Sequence, residues 1–361
     1  MNKFIKKTSL FLLPITLLVS LTFYSYGPNS NDLLRLAYLP EIYTHYHSKK
    51  EFLEITPPAF AYDKIMDKPI KRKYKVMSMG DSFSEFIESY NNIIAQHYDL
   101  LHFDKNITGW NSLNQLYALS LGDFFIEFNI DYVIYQGVER HIYGRTKYFD
   151  SCLKKVDVKD VFQLVNKSLP QANKNPNKKL SLENYIHKKL FTKESFVLLK
   201  NTYHYLNNKT YLFENQVYKV ELNQKGLFSI PQDNLLFYYE DLIDLEEKNE
   251  KKVAVDYIQI LNTISKNLKN KGVQLLVLTS ADKYSMYYEY MVNPPDIEPK
   301  LLEHLLEIPK EFIYIDSREI HKKHELPDLY YYDDTHWSPI GQQIVADKIL
   351  ELINISENTA P

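Results

Sequence analysis

Tyr74-Lys75-Val76-Met77-Ser78-Met79-Gly80-Asp81-Ser82-Phe83 is the stretch from which the fold can be read. Residues 74–79 have the character of a strand, and Gly80 ends it. From Phe83 to His97 the apolar residues Phe83, Phe86, Ile87 and Ile94 recur at near-helical spacing. A strand that turns at a glycine into a helix is the opening unit of an α/β domain. It leaves Ser82 at a helix N-terminus, where a backbone N–H can meet developing negative charge while the hydroxyl attacks.

Downstream the same alternation recurs. A second strand fits Tyr98 to Phe103, a helix fits Ser112 to Phe128, and Asp131-Tyr132-Val133-Ile134-Tyr135 is a third strand. Val253, Ile258, Leu261, Ile264 and Leu268 form a helical stripe closed by Gly272. Val273 to Leu278 then reads as a fourth strand and Phe312 to Ile315 as a fifth. A last helix runs from Pro339 to about Leu352, with Ser338 as its cap and proline at the first helical position. The pattern predicts a parallel five-stranded sheet with helices on both faces, in the flavodoxin-like order, and a ligand site at its C-terminal edge.

Between about 142 and 248 the alternation breaks down, which marks a large insertion, either a lid or an acceptor platform. Within it Asn166 to Ser181 is rich in Asn, Lys and Pro and is expected as an exposed loop. Tyr211 to Phe213 and Val217 to Val220 flank Glu214-Asn215-Gln216 as a candidate hairpin.

Lys3, Lys6 and Lys7 precede an uncharged, mainly apolar run from Ser9 to Tyr26. At about 1.5 Å per residue such a run approaches the thickness of the hydrocarbon layer. Its end is bulky and lacks a small-residue cleavage site, so residues 1–27 are expected to be an uncleaved membrane anchor. The lysines would then hold the N-terminus in the cytoplasm and leave the rest outside. Residues 28–73 read as tether and lead-in, and 74–361 as the catalytic domain.

Composition narrows the function. The 43 basic and 46 acidic residues give a net charge of −3, without the basic excess of a nucleic-acid-binding protein. A single cysteine, Cys152, excludes an internal disulfide and any paired-cysteine metal or redox site. The histidines show no metal-ligand spacing, and no cofactor motif is present. The 30 Tyr and 19 Phe suit a packed core and sugar-binding surfaces alike.

Two motifs carry the chemistry. Gly80-Asp81-Ser82 alone is weak, since an ordinary capped turn has the same residues. The second is Asp333-Asp334-Thr335-His336-Trp337-Ser338-Pro339-Ile340-Gly341, at the entry to the last helix. A nucleophilic serine needs a base, and the base needs a carboxylate to fix its tautomer. The first strand's end and the last helix's entry fall at the same edge of such a sheet, so Ser82 and His336 are expected to meet.

Gly80-Asp81-Ser82 with the late Asp-His pair resembles the SGNH hydrolase superfamily. Asp334-Thr335-His336-Trp337-Ser338 is similar, more narrowly, to its alginate O-acetyltransferase-like and DHHW branch. Tyr135 to Arg140, Ser280 to Tyr287 and Leu235 to Tyr239 resemble further stretches of that branch. The serine precedes the Asp-His pair, as in the SGNH esterases. Asp334 has the acetyltransferases' spacing to the histidine and Asp333 the esterases'; the Thr-His-Trp context favours Asp334. The resemblance implies a triad of Ser82, His336 and Asp334 that needs no metal or cofactor. Gly109 and Asn111 stand at the superfamily's second glycine block, as oxyanion donors or simply a helix-start loop. Arg140 would hold a substrate oxygen or form a structural ion pair, and Lys283, Tyr284 and Tyr287 are expected in packing or surface roles. It further implies O-acetylation of an extracytoplasmic polysaccharide, with acetyl supplied by a membrane-bound O-acyltransferase. A carbohydrate acetylesterase and a non-catalytic glycan-binding domain are the alternatives.

Overall fold

A computed structural model describes residues 2–26, 32–39 and 52–55, and, apart from short breaks, 57–168, 193–208 and 216–359. Its centre is a parallel sheet in which every strand but the first is a short, mainly apolar run. The strands are β1 (Asp63–Lys64), β2 (Val76–Met79), β3 (Leu100–Phe103), β4 (Tyr132–Val138), β7 (Gln274–Ser280) and β8 (Ile313–Asp316), in the order β1-β3-β2-β4-β7-β8. All pairings in this sheet are parallel. The five predicted strands take the flavodoxin-like order, with the first between the second and third.

The sixth strand corrects the expected count of five. It comes from the segment read as lead-in, and it has no apolar run to announce it. Asp63 and Lys64 pair with Leu101 and His102 at the sheet edge, and Tyr74 Oη donates to the Asp63 carboxylate at 2.6 Å.

Because side chains alternate across a strand, each face has its own core. Val76, Ile134, Leu276 and Leu278 pack with the helix Pro339–Thr359, whereas Met77, Met79, Val133, Leu275 and Val277 pack beneath the helix Lys251–Lys269. Each such buried aliphatic side chain contributes roughly 1.5–3 kcal/mol of hydrophobic free energy.

Three further expectations are corrected. The helix predicted over 112–128 breaks into Ser112–Leu121 and Phe124–Glu127. Gly122 caps the first piece, where an added Cβ would lie 2.1 Å from the Val156 carbonyl oxygen. The helical spacing over 83–97 yields two short helices, Ser82–Glu85 and Tyr90–Ile94. In the insertion, β5 (Val217–Glu221) pairs antiparallel with β6 (Asn234–Tyr238); the strand expected at 211–213 lies outside the described residues. The expected 166–181 loop overlaps the helix Val158–Ser168, and its remainder also lies outside them.

The N-terminal run forms one continuous helix, Asn2–Tyr26, with Pro14 inside it. The expected transmembrane anchor finds no support, since no helix among the described residues is long and apolar enough to cross a membrane.

Candidate active site

Ser82 is the first residue of the helix Ser82–Glu85, directly beyond the end of β2. A first helical residue has no carbonyl one turn behind it for its N–H. The turn is tight: a Cβ on Gly80 would lie 2.5 Å from both Gln136 Oε1 and Ser84 Oγ. Gln136, fully buried on β4, makes the turn rigid. Its Oε1 accepts from the Asp81 N–H at 2.7 Å and Ser84 Oγ at 2.9 Å, while its Nε2 donates to Ser280 Oγ at 2.8 Å. One amide therefore joins the ends of β2, β4 and β7.

Asp81 braces the turn from the other side. Its carboxylate accepts from the Val138 N–H at 2.9 Å and pairs with the buried Arg145 guanidinium. Burial pushes its carboxyl up, but Arg145 and the nearby His141 outweigh this and hold it well below the usual carboxylate range.

The second motif folds into a closed turn. Tyr330 and Trp337 form an antiparallel bridge, the Tyr331 N–H donates to the His336 carbonyl at 3.0 Å, and the Ser338 N–H donates to Leu329 at 3.1 Å. Ser338 Oγ caps the final helix by accepting from the Ile340 N–H at 3.1 Å. Trp337 is fully buried, with its ring centroid 4.7 Å from that of Phe83. The two motifs thus share one apolar contact.

The turn delivers His336 to Ser82. Ser82 Oγ lies 2.7 Å from His336 Nε2, and His336 Nδ1 lies 2.5 Å from Asp334 Oδ1. The same oxygen accepts from the His336 backbone N–H at 3.0 Å. Rings of Phe83 and Phe86 pack against the imidazole at 4.8 and 4.5 Å, shielding it from water. Burial raises the Asp334 carboxyl's pKa, but hydrogen bonding to His336 and its charge bring it below the ordinary value. Such an arrangement can pass a proton from a serine hydroxyl to an imidazole whose tautomer is fixed by a carboxylate. Asp333, by contrast, is buried, and its carbonyl accepts from the Leu33 N–H at 3.1 Å.

The other predicted residues lie around this centre. Asn111 Oδ1 accepts from the Asn114 N–H at 3.0 Å and caps the helix Ser112–Leu121. Gly109 is exposed and has a positive φ of 71°. Arg140 is bound to Asp241 at 2.9 Å and Asp282 at 2.5 Å, the structural ion pairing weighed against substrate binding. A cavity of about 600 Å³ lies beside the reactive turn, lined by Asp81, Asn111, Arg140, His141, Tyr143 and Tyr148 among others. Asp32, Asp334 and His336 offer ligand atoms within 4.8 Å of one another, a spacing a cation could use. Each already has protein partners: Asp32 pairs with Arg35 at 2.7 Å and accepts from Thr335 Oγ1 at 2.9 Å.

Two polar residues whose place sequence reasoning missed also build the site. Besides Gln136, Lys283 is 1 % exposed and donates to the carbonyls of Tyr331, Tyr332 and Asp334 at 2.9, 2.8 and 3.1 Å. Burial pushes its pKa down to about 7 despite the nearby Asp333 and Asp334. A signal for Gln136 exists in retrospect, as a polar side chain closing an apolar strand run.

The parallel sheet with helices on both faces fits an SGNH hydrolase-like α/β fold. Residues 230–360 match the family model described as SGNH hydrolase-like domain, acetyltransferase AlgX. The matched segment carries Asp334 and His336 but ends short of Ser82 on the N-terminal side. No curated protein and no solved structure matches the chain.

Proposed function

We propose that the chain is a serine-dependent O-acetyltransferase acting on a polysaccharide outside the cytoplasm. The observation that carries this reading is the unbroken contact from Ser82 Oγ through His336 to Asp334, in a chain whose C-terminal third matches an acetyltransferase domain model. His336 Nε2 takes the Ser82 proton as Oγ attacks the carbonyl carbon of an acetyl ester. The collapsing tetrahedral adduct expels the donor alcohol, which takes that proton, and leaves acetyl on Ser82. An acceptor hydroxyl then gives its proton to His336 and attacks the acetyl carbon, and the collapsing adduct expels Ser82 Oγ, which takes the proton back from His336. The Ser82 N–H and the Asn111 amide are the proposed donors to the oxyanion, as such groups are in acyl transfer generally.

Polysaccharide acceptor, acetyl supply by a membrane-bound O-acyltransferase and an extracytoplasmic location belong to the same proposal. Its support for location is the order of lysines followed by the uncharged stretch, and the helix Asn2–Tyr26 leaves Leu10, Phe11, Leu13 and Leu17 exposed. A C-terminal reporter active only outside the cytoplasm is the expected result, and cytoplasmic activity refutes the location.

Replacing the sugar hydroxyl by water gives an acetylesterase with the same triad. The decisive experiment supplies an activated acetyl ester with candidate glycans and follows both products by mass spectrometry. Acetylated glycan that disappears in Ser82→Ala supports transfer. Rapid deacetylation of native polysaccharide, with no glycan ever gaining acetyl, refutes it in favour of the esterase.

A further inference from the structure

Asp334 spends one carboxylate oxygen, Oδ1, on both the ring and the backbone N–H of His336. Its other oxygen, Oδ2, accepts from the backbone N–H of Asp32 at 3.3 Å, 302 residues earlier in the chain. Two more bonds run alongside. Thr335 Oγ1 donates to Asp32 Oδ2 at 2.9 Å, and the Leu33 N–H donates to the Asp333 carbonyl at 3.1 Å. Asp32 and Leu33 therefore engage all three residues from Asp333 to Thr335. We propose that residues 32–39 form a strap that fixes the orientation of Asp334, with Asp32 as a positioning residue for the acetyl transfer proposed above, on which this inference rests.

The strap is itself well held. Leu33, Leu34, Ala37 and Leu39 are at most 1 % exposed and belong to the same core as Tyr332 and Trp337. Asn201 Nδ2 donates to the carbonyls of Ala37 and Tyr38 at 3.1 and 3.2 Å. Arg35 fixes the Asp32 side chain by its 2.7 Å ion pair. A carboxylate bonded to an imidazole through one oxygen can still turn about its Cβ–Cγ bond. Bonding the second oxygen to an element anchored in the core removes that freedom. The residues that do this lie far outside the segment matched by the acetyltransferase domain model, 230–360. They fall within the stretch whose sequence reads as a tether.

The test uses the full chain and turnover of an activated acetyl ester. Asp32→Pro deletes the N–H that reaches Asp334, at the first position of the helix Asp32–Leu36, where proline is tolerated. Expected is a fall in kcat of about tenfold, equivalent to about 1.4 kcal/mol of transition-state stabilisation, with KM within about twofold of the parent. Asp32→Asn, which keeps the N–H and a side-chain acceptor, is expected to retain most of kcat. A folded Asp32→Pro protein with parental kcat, while Ser82→Ala is inactive, overturns the strap and leaves the triad standing. Retained turnover in Ser82→Ala overturns the triad reading and the strap with it. Should Asp32→Pro fail to fold, Thr335→Val decides. A fall in kcat of about threefold at an unchanged melting temperature supports the strap, and parental kcat overturns it.

Discussion

Replacing Lys283 by methionine should loosen the turn that carries Asp334 and His336. Methionine has nearly the same length and apolar stem but no donor. The change strips three carbonyls, those of Tyr331, Tyr332 and Asp334, of their ammonium partner. A buried carbonyl left without a partner costs about 1–3 kcal/mol. The bond to Tyr332 is fully buried, whereas the other two are partly so and their carbonyls can turn towards water. Against the loss stands the cost of burying a cation, visible in the fall of the Lys283 pKa to about 7. The balance is a destabilisation of about 2–3 kcal/mol, or roughly 3–4 °C in melting temperature for a chain of 361 residues. Turnover should fall about tenfold or more, because His336 and its carboxylate partner both ride on the released turn. Titration adds a signature. Above about pH 7 the folded chain lacks a proton that the unfolded chain keeps up to the ordinary lysine value of 10.5, so this group makes stability rise with pH in that window. Lys283→Met should lack that rise. Urea denaturation at several pH values and ester turnover on the same samples measure all three effects. Parental stability, kcat and pH slope together would refute the clamp.

Single substitutions of Ser82 or His336 by alanine should each lower Ser82-dependent turnover by about 10³-fold or more, since groups acting as one unit fail together. Asp334→Asn should cost far more kcat than Asp333→Asn, and the reverse ranking would move the orienting carboxylate to Asp333. In Gly80→Ala the new methyl meets Gln136 Oε1 and Ser84 Oγ; a loss of about 1–3 kcal/mol in denaturant titration and a lower kcat are expected. Burial, then the neighbouring Asp282 charge, push the Glu139 carboxyl's pKa up. The folded chain thus keeps a proton that the unfolded chain releases, and stability falls as pH rises from the ordinary carboxyl range to the raised value. Glu139→Gln cannot release that proton and should flatten the fall, read by comparing denaturation near pH 5 and near pH 8.

The five strands at the heart of the sheet were legible because burial on both faces leaves little choice of residue. Val273 to Leu278 is apolar but for Gln274 and follows Gly272, and the structure places β7 at Gln274–Ser280. β1 left no such mark. Asp63 and Lys64 are held by an edge pairing and by Tyr74, a residue on the far side of the lead-in, so only tertiary contacts create the strand. The β5–β6 pairing was missed for a related reason. The turn residues 214–216 favoured a short hairpin, but the buried apolar run Leu235-Leu236-Phe237 supplied the partner for Val217 to Glu221.

At the site, residue types sufficed where the chemistry permits few alternatives. A nucleophile, a base and an orienting carboxylate are restricted to a handful of side chains, and two motifs at one sheet edge supply all three. The groups that hold them have no such restriction. Any donor of suitable reach could clamp three carbonyls, any amide could join three strand ends, and the N–H that meets Asp334 belongs to the backbone of Asp32. Lys283 therefore reads in sequence as a packing or surface residue and Asp32 as part of a tether. Arg140 shows the converse: its charge draws attention as a substrate ligand, yet Asp241 and Asp282 already neutralise it in the fold. Positioning is a property of burial and distance. It becomes visible only once residues separated by hundreds of positions stand within 3 Å or so of each other, as Asp32 and Thr335 do at 2.9 Å.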